Sequence, residues 1–433
     1  MSERSVLVFG AGPAGLVAAL SAATQHARVT LVEKTGMIGR KLSLTGNGRG
    51  NLSAVYLTKD CYNEEAGARM ERWLRICPQT EVIRLFERIG LYIRTEGAGI
   101  YPVSGQASSI VTALHDACLK QGVTILTGAQ LKSVEQDGNG LCCVAGGQTM
   151  RADAVILSTG GLAGPKTCQA SGDAYYLCER LGIACVPRRP ALVPLHTKGL
   201  PLRTGTGVRV RAAVSFYASA PTAEPGTEPP EDRLIVSEFG EVQLTPQGLS
   251  GIPVLQASGK VTEALAAGKE VNAWLDLLPE LSPREWEERV RHLEEIAEEA
   301  PERPLLSLLT GITSQELGRC ILTLLACHDA EQACFQTLSA QQKITLWRLF
   351  RAFPVEITGA SDYTHAQVTA GGVSLNEVDD DLQSIRVPGL YLAGELLDVD
   401  GRCGGYNLHW AFMSGMIAGT HAASGTSFIG EAV

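Results

Sequence analysis

The 433-residue chain has no Cys-x-x-Cys pair, no His-Glu-x-x-His, no run of basic residues and no internal repeat. Its twelve cysteines are scattered, and its eight histidines stand apart from one another and from acid clusters, so neither a zinc site nor a redox dithiol is signalled. Cys320, Cys327 and Cys334 recur every seven residues, a spacing that shares one helical face only on an unbroken helix; otherwise they read as small buried hydrophobes. Lys and Arg total 37 against 46 Asp and Glu, a net charge of -9, which speaks against binding a phosphate backbone. No apolar stretch reaches membrane-spanning length without Gly, Pro or charge. The run from Val6 to Ala23 is broken by Gly10, Gly12, Pro13 and Gly15, unlike a secretory leader, so a cytoplasmic protein without membrane or nucleic-acid partners is expected.

What is present is ordinary globular composition, 45% hydrophobic and 19% charged, at a length that calls for two or three domains. Ser5 to Phe9 and Arg28 to Val32 read as strands flanking an Ala-rich helix, a β-α-β unit. Further strands are expected at Thr124 to Leu126, Ala154 to Ser158 and Gly389 to Ala393. Between them the texture changes. Residues 205 to 260 alternate in the manner of antiparallel strands, through Val208, Val210, Ala212, Val214 and Phe216, with a Pro-rich hairpin tip at Pro221 to Pro230. Ser282-Pro283-Arg284-Glu285 then has capping-box spacing with Pro at the first helical position, and Ser339-Ala340-Gln341-Gln342 repeats the signal, so a helical segment holds at least two helices.

Gly10-Ala11-Gly12-Pro13-Ala14-Gly15 places a Gly-x-Gly-x-x-Gly between strand and helix. Its glycines serve the tight turn, the approach of backbone to a pyrophosphate and close helix–strand packing. The helix N-terminus offers unpaired N–H groups to the phosphates. Glu33, eighteen residues past Gly15, is the acid expected on the adenosine ribose. The segment from Gly39 to Asn51 is dense in glycine, cations and amides, able to wrap a diphosphate and a ring edge. Within it, Gly46-Asn47-Gly48-Arg49-Gly50 is not a second dinucleotide turn, having no strand before it. A third element, Val387 to Glu395, is a strand ending in glycine and an acid, with Glu395 placed for a ribityl hydroxyl. Asp398 and Asp400 follow, and Gly404-Gly405-Tyr406-Asn407-Leu408 opens a helix to about His421, its N–H groups able to face the N1/C2=O edge of a flavin. Gly248-Leu249-Ser250-Gly251 is not a hydrolase elbow.

These segments, with Pro190 to Leu195, Gly248 to Pro253 and Thr369 to Val373, closely resemble the BaiN/YhiN flavoproteins, also called the aminoacetone-oxidase family, over nearly the whole chain. The resemblance implies an α/β protein with a split Rossmann-like FAD domain (1-190 and 355-433), an inserted β-barrel-like lobe (191-275) and a small helical lobe (276-354). It implies FAD held by Gly10, Gly12, Pro13, Ala14, Gly15, Glu33, Lys34, Arg40, Lys41, Thr45, Gly46, Asn51, Leu52, Leu131, Thr159, Gly160, Gly161, Gly394, Glu395, Asp400, Gly405, Tyr406, Asn407 and Leu408. Where the family's loop usually reads Gly-Arg-Cys-Asn, this chain has Gly48-Arg49-Gly50-Asn51, which removes any thiol role there; where the family commonly has Gln, this chain has His409.

The resemblance implies one of two reactions. In the first, NAD(P)H reduces FAD and a hydride adds to the β-carbon of a conjugated enone, in a steroid or bile-acid-like 3-oxo substrate; Tyr101 is the first candidate proton donor to the α-carbon and His409 the second. In the other, a small amine is oxidised and dioxygen takes the electrons, giving hydrogen peroxide. A non-catalytic flavin redox sensor is the third reading. No second strand-linked glycine fingerprint exists for a nicotinamide, which must then dock transiently. Ene reduction is the favoured expectation.

Overall fold

A computed structural model describes residues 3–137, 140–202, 207–218, 225, 231–327 and 329–424. The Pro-rich tip expected at 221–230 lies, Pro225 apart, outside the described residues. The chain divides into two compact units: Met1–Pro190 with Gln367–Val433, and Ala191–Ala366.

The first unit is built on a five-stranded parallel sheet, ordered Leu390–Leu392, Ala154–Leu157, Ser5–Phe9, Arg28–Val32 and Thr124–Leu126. Val6 lies opposite Ala154 on one side and Val29 on the other. Its central strands are apolar runs because they are buried by the helices Pro13–Thr24 and Tyr406–Ser424 and by the strands Gly140–Ala145 and Gln148–Ala152. The helix Pro13–Thr24 leaves the first strand, and Tyr406–Ser424, nearly four hundred residues later, packs against it. Small residues make that approach possible: an added Cβ at Gly415 or Gly419 would overlap the carbonyl of Ala14 or Ala18. The two distant parts of the sequence thus share one core. A small antiparallel sheet, Ser53–Ala54, Gly99–Pro102 and Ile93–Glu96, and a meander, Leu131–Asp137, Gly140–Ala145 and Gln148–Ala152, complete the β-structure beside the pair Cys185–Ala191 and Val368–Val373.

The second unit holds a closed six-stranded barrel: Leu195–Thr197, Gly248–Ser250, Leu234–Thr245, Val208–Ala218, Val271–Asp276 and Phe353–Ala360, each strand paired with the next. Val208, Ala212, Val214 and Phe216 point into its core while Arg209 and Arg211 are exposed, the period-two pattern of a strand with one wet face. One part of the expected strand region is helical instead. Ile252–Ala266 is a helix with Pro253 in its first turn, and Val254, Ala257, Val261 and Ala264 are buried at three- and four-residue spacing. Phe353–Ala360 closes the barrel and carries this unit past residue 354, so the chain re-enters the first unit at Gln367.

The helices Pro283–Glu299 and Ala340–Leu349 begin at complete capping boxes, Ser282 with Glu285 and Ser339 with Gln342. Leu305–Leu309 and Gln315–Leu324 lie between them. The latter helix ends before Cys327, so the three regularly spaced cysteines do not share a helix face. Among the described residues no helix is long and apolar enough to cross a membrane, and no cluster of His, Cys, Asp and Glu could hold a metal ion.

Candidate active site

The glycine turn is built as a cradle. Gly10, at φ +101°, has no room for a side chain, since a Cβ would lie 2.6 Å from the Ser158 carbonyl oxygen. At Gly15 an added Cβ would overlap the Gly10 carbonyl. Gly12 differs: it caps the helix Pro13–Thr24 without a side-chain bond, and nothing lies within 4 Å of where its Cβ would project. Glycine at 10 and 15 therefore serves the fold, while glycine at 12 keeps a space open over a helix N-terminus with Pro13 as its first residue. Ala14 is buried against the C-terminal segments, its Cβ 2.9 Å from a Cβ built at Gly394.

At the end of the second strand the Glu33 carboxylate accepts the Ala11 N–H (2.9 Å) and both the N–H and hydroxyl of Thr35 (2.9 Å each). It is held against the turn. Lys34 bonds the Ser171 hydroxyl and lies 3.6 Å from Asp173. Leu131 opens its strand two residues past Ala129, whose N–H donates to the Glu33 carbonyl (3.0 Å).

The opposite wall comes from 158–161 and 394–395. The Ser158 hydroxyl donates to the Phe9 and Gly10 carbonyls, 3.0 Å each, fixing the two strand ends together. The Thr159 hydroxyl is buried without a partner, and Gly160, at φ +73°, faces open space. Gly161 has no room for a Cβ between Thr369 and Glu395. Glu395 accepts the Thr369 N–H (2.9 Å) and pairs with Lys41 at 2.6 Å, tying the 39–51 loop to the C-terminal segment. Spacing alone signalled neither Ser158 nor Thr369, because each acts through a strand neighbour distant in sequence.

The 39–51 loop begins as a short helix, Arg40–Leu44, with the Thr45 hydroxyl bonded back to the Leu42 carbonyl (2.7 Å); it then turns through left-handed conformations at Gly46, Asn47, Gly48 and Gly50. Gly50 is closed to any larger residue: its φ is +74°, and a Cβ would sit 2.5 Å from Ile110 and 2.9 Å from the Ala107 Cα. The absence of a thiol at this position thus has a packing counterpart. Asn51 accepts the Ile100 N–H at 3.3 Å, and Leu52 is buried behind it. The Asn51 amide also borders Gly405, where a Cβ would lie 2.8 Å from its Oδ1, and Gly99, where a Cβ would lie 3.0 Å from the same atom and 2.6 Å from the Tyr101 ring. Tyr101 therefore shares a neighbourhood with the N-terminus of Tyr406–Ser424. The Arg49 guanidinium stacks over the Tyr101 ring at 4.7 Å and pairs with Glu96 at 2.6 Å, a contact absent from the sequence-based expectations.

The helix start is held by Asn407, which exchanges two bonds of 2.8 Å with the Gly401 backbone; Tyr406 and Leu408 flank it, both partly buried. His409 is fully buried. Its Nδ1 lies 3.1 Å from the Ser53 hydroxyl, which in turn receives a bond from Gln79 (2.8 Å), while Nε2 has no partner. Burial lowers its pKa to about 3, so the ring is neutral at neutral pH. Asp400 is pushed up to about 7 by burial and then by the neighbouring Asp398 carboxylate; Asp398 is raised to about 6 by burial and then by Glu65. Burial thus makes two acids beside Gly401 and a helix N-terminus costly to ionise.

The resemblance implies FAD, and the residues fit it on structural grounds: an uncapped helix start beneath open space at Gly12, a buried hydroxyl without a partner at Thr159, and a second glycine-led helix start at Gly405. The HI0933-like protein Rossmann domain model matches residues 4–421. The 3-dehydro-bile acid delta(4,6)-reductase of Clostridium scindens is 34% identical over 420 residues, covering 96% of this chain and 98% of its own. The ribosomal RNA dihydrouridine synthase of Escherichia coli K12 is 31% identical over 418 residues, 96% of each. Among solved structures, a 3-ketosteroid delta1-dehydrogenase from Sterolibacterium denitrificans covers 98% of this chain and 100% of its own at 13% identity and a TM-score of 0.50, a likeness of fold alone. With the glycine cradle, the parallel sheet and a match along nearly its whole length, the chain belongs to the HI0933-like Rossmann-domain family and is an FAD-dependent oxidoreductase.

Proposed function

We propose that the protein saturates a carbon–carbon double bond conjugated to a carbonyl, in a small steroid-like 3-oxo substrate, with NAD(P)H as the external reductant. The observation that carries this reading is full-length relatedness to two proteins whose names describe one kind of bond change. A delta(4,6) reduction of a 3-dehydro bile acid and the conversion of uridine to dihydrouridine both remove a double bond conjugated to C=O. Neither relative is named an oxidase, so the amine-oxidase reading takes second place.

FAD, when bound, supplies the hydride that adds to the β-carbon. In this proposal Gly12 and the start of Pro13–Thr24 hold the pyrophosphate, Glu33 the ribose, Glu395 and Asp400 the ribityl chain, and the first N–H groups of Tyr406–Ser424 the ring's anionic edge. Tyr101 gives the proton to the α-carbon. Its ring lies in the Asn51–Gly405 neighbourhood and is partly exposed, so water can restore the proton. The balance is one C=C lost and two C–H bonds formed, one hydrogen coming as hydride from NAD(P)H and one as a proton from the phenol. His409 and Ser53 orient the helix start. The net charge of -9 favours a free small molecule over ribosomal RNA as substrate.

The test is anaerobic. Protein reduced with NADPH or NADH is mixed with a 3-oxo-delta4 steroid, with unmodified ribosomal RNA, or with air. Rapid re-oxidation by the steroid supports the reading; re-oxidation by RNA with dihydrouridine formed moves the substrate to a nucleic acid, and re-oxidation by air alone removes the reductase. Tyr101→Phe is expected to slow re-oxidation by the steroid at least about a hundredfold while leaving flavin reduction unchanged.

A further inference from the structure

Tyr101 lies on the outer face of the small antiparallel sheet formed by Ser53–Ala54, Gly99–Pro102 and Ile93–Glu96. Residues paired across strands share a face, so Arg94, opposite Tyr101, and Glu96, opposite Gly99, lie on that side too, while Ser53, Ile100 and Pro102 are buried on the other. Arg49 reaches the outer face from the 39–51 loop. Its guanidinium stacks over the Tyr101 ring at 4.7 Å and pairs with Glu96 at 2.6 Å, and Arg94 meets the same carboxylate at 3.3 Å. Among the described residues Glu96 is the only acid paired with either arginine. Its bond to Arg49 engages Nη2 alone, so Glu96 fixes the guanidinium in place and leaves its other N–H groups for a ligand. With its side chain 42% exposed, Arg49 is within reach of one.

Neighbours run in a line from the helix start at Gly405. The Asn51 amide borders Gly405 and Gly99, the Tyr101 ring packs on Gly99, and Arg49 lies over that ring. In the reduction proposed above, the substrate needs groups in a matching order. Hydride addition forms a C–H bond at the β-carbon and sends the π electrons onto the carbonyl oxygen, giving an enolate. The α-carbon then takes the Tyr101 proton, and the C=O bond re-forms. Between these events the oxygen carries the charge, and it lies only two bonds from the carbon that the phenol protonates. A cation stacked against the phenol ring is placed for that oxygen.

We propose that Arg49 is a catalytic residue of this reduction, donating a hydrogen bond to the substrate's carbonyl oxygen and stabilising the enolate. A guanidinium keeps its own proton, so it polarises the carbonyl while Tyr101 serves as the acid. The inference rests on the reductase reading and supplies the electrophilic group that this reading lacks.

The test follows re-oxidation of the reduced, FAD-loaded protein at saturating 3-oxo-delta4 steroid. Arg49→Gln should lower the limiting rate at least about a hundredfold, with flavin content and flavin reduction by NADPH unchanged, and Arg49→Lys should recover about tenfold of that loss. Glu96→Gln removes the ion pair and keeps the guanidinium, so its rate should stay within about threefold of wild type. In Tyr101→Phe protein, Arg49→Gln should slow re-oxidation about a further tenfold or more, because the two groups serve different atoms. A second measurement needs no turnover. Equilenin, a steroid whose phenolic A ring ionises to a planar oxyanion, is bound to the oxidised protein at pH 8; its ratio of ionised to neutral form should be at least about tenfold higher on wild type than on Arg49→Gln protein. The proposal is overturned by equal ratios, by an Arg49→Gln rate near wild type, by Glu96→Gln being as slow as Arg49→Gln, or by Arg49→Gln adding nothing to Tyr101→Phe. Wild-type protein that the steroid fails to re-oxidise removes the reductase reading itself.

Discussion

The two units are stabilised by different means. In the first, close approach does the work: a Cβ at Gly10, Gly15, Gly161, Gly405 or Gly415 would collide with a backbone or side-chain atom across a joint, and the polar groups at those joints are bonded pairwise. In the second, stability comes from periodic burial, with a barrel core and helix faces of Leu, Val and Trp behind capping boxes. The difference teaches where function was placed. The first unit carries the buried Thr159 hydroxyl without a partner and two carboxylates, Asp398 and Asp400, that burial raises to about 6 and about 7; the second also buries an unpartnered hydroxyl, Thr197, but its raised carboxylate, Asp276, is paired with Arg351. Such features are expected where a ligand completes the structure.

Substitutions can break that contrast. Leu309 is fully buried in the core of the second unit, so Leu309→Ala should cost about 2–5 kcal/mol in thermal or denaturant unfolding of that unit. FAD affinity should not change. Gly12→Val is the converse: its φ of -80° is open to any residue and its Cβ meets nothing, so the fold should survive with an unchanged melting temperature. Equilibrium titration should nonetheless show FAD affinity reduced at least about a hundredfold, because the side chain occupies the phosphate space.

Asp400 sharpens the comparison through pH. Its folded-state pKa of about 7 lies above the ordinary carboxylate value, so the folded apoprotein holds a proton that the unfolded chain has released. This group's contribution to stability is therefore present at low pH and is lost as pH rises from about 4 toward about 7. Asp400→Asn should stabilise the apoprotein at pH 8 by roughly 1–3 kcal/mol while weakening FAD binding about tenfold. A variant that raises the melting temperature and lowers flavin affinity separates ligand binding from packing. The smallest effect belongs to the second unit: Ser282→Ala removes a helix cap and should cost about 1 kcal/mol with no change in flavin titration.

Much of this was legible in sequence where a residue's conformation or period is forced. The first β-α-β unit, the strands near 124, 154 and 390, the helix from 406 and both capping boxes occur where glycine placement, Pro at a helix start or alternation allows little else. The helix Ile252–Ala266 escaped because it follows directly on strands, and its signature, Val254, Ala257, Val261 and Ala264, begins just after the alternating run ends. The barrel strand Phe353–Ala360 gave no local sign of its pairing with Leu195–Thr197, far earlier in the chain. In the site, residue types were readable and partnerships were not. Arg49 over Tyr101, Ser158 on Gly10 and Thr369 on Glu395 join residues far apart in sequence, and the burial that keeps His409 neutral arises only from three-dimensional packing.

The most direct test of the account is the flavin content of the purified wild-type chain, from the absorbance of cofactor released on denaturation and from titration of the apoprotein with FAD. One FAD per chain, lost in Gly12→Val protein that remains folded, is the predicted result. A folded wild-type protein that neither carries FAD nor takes it up would contradict the assignment of both distant sequence segments to one dinucleotide site.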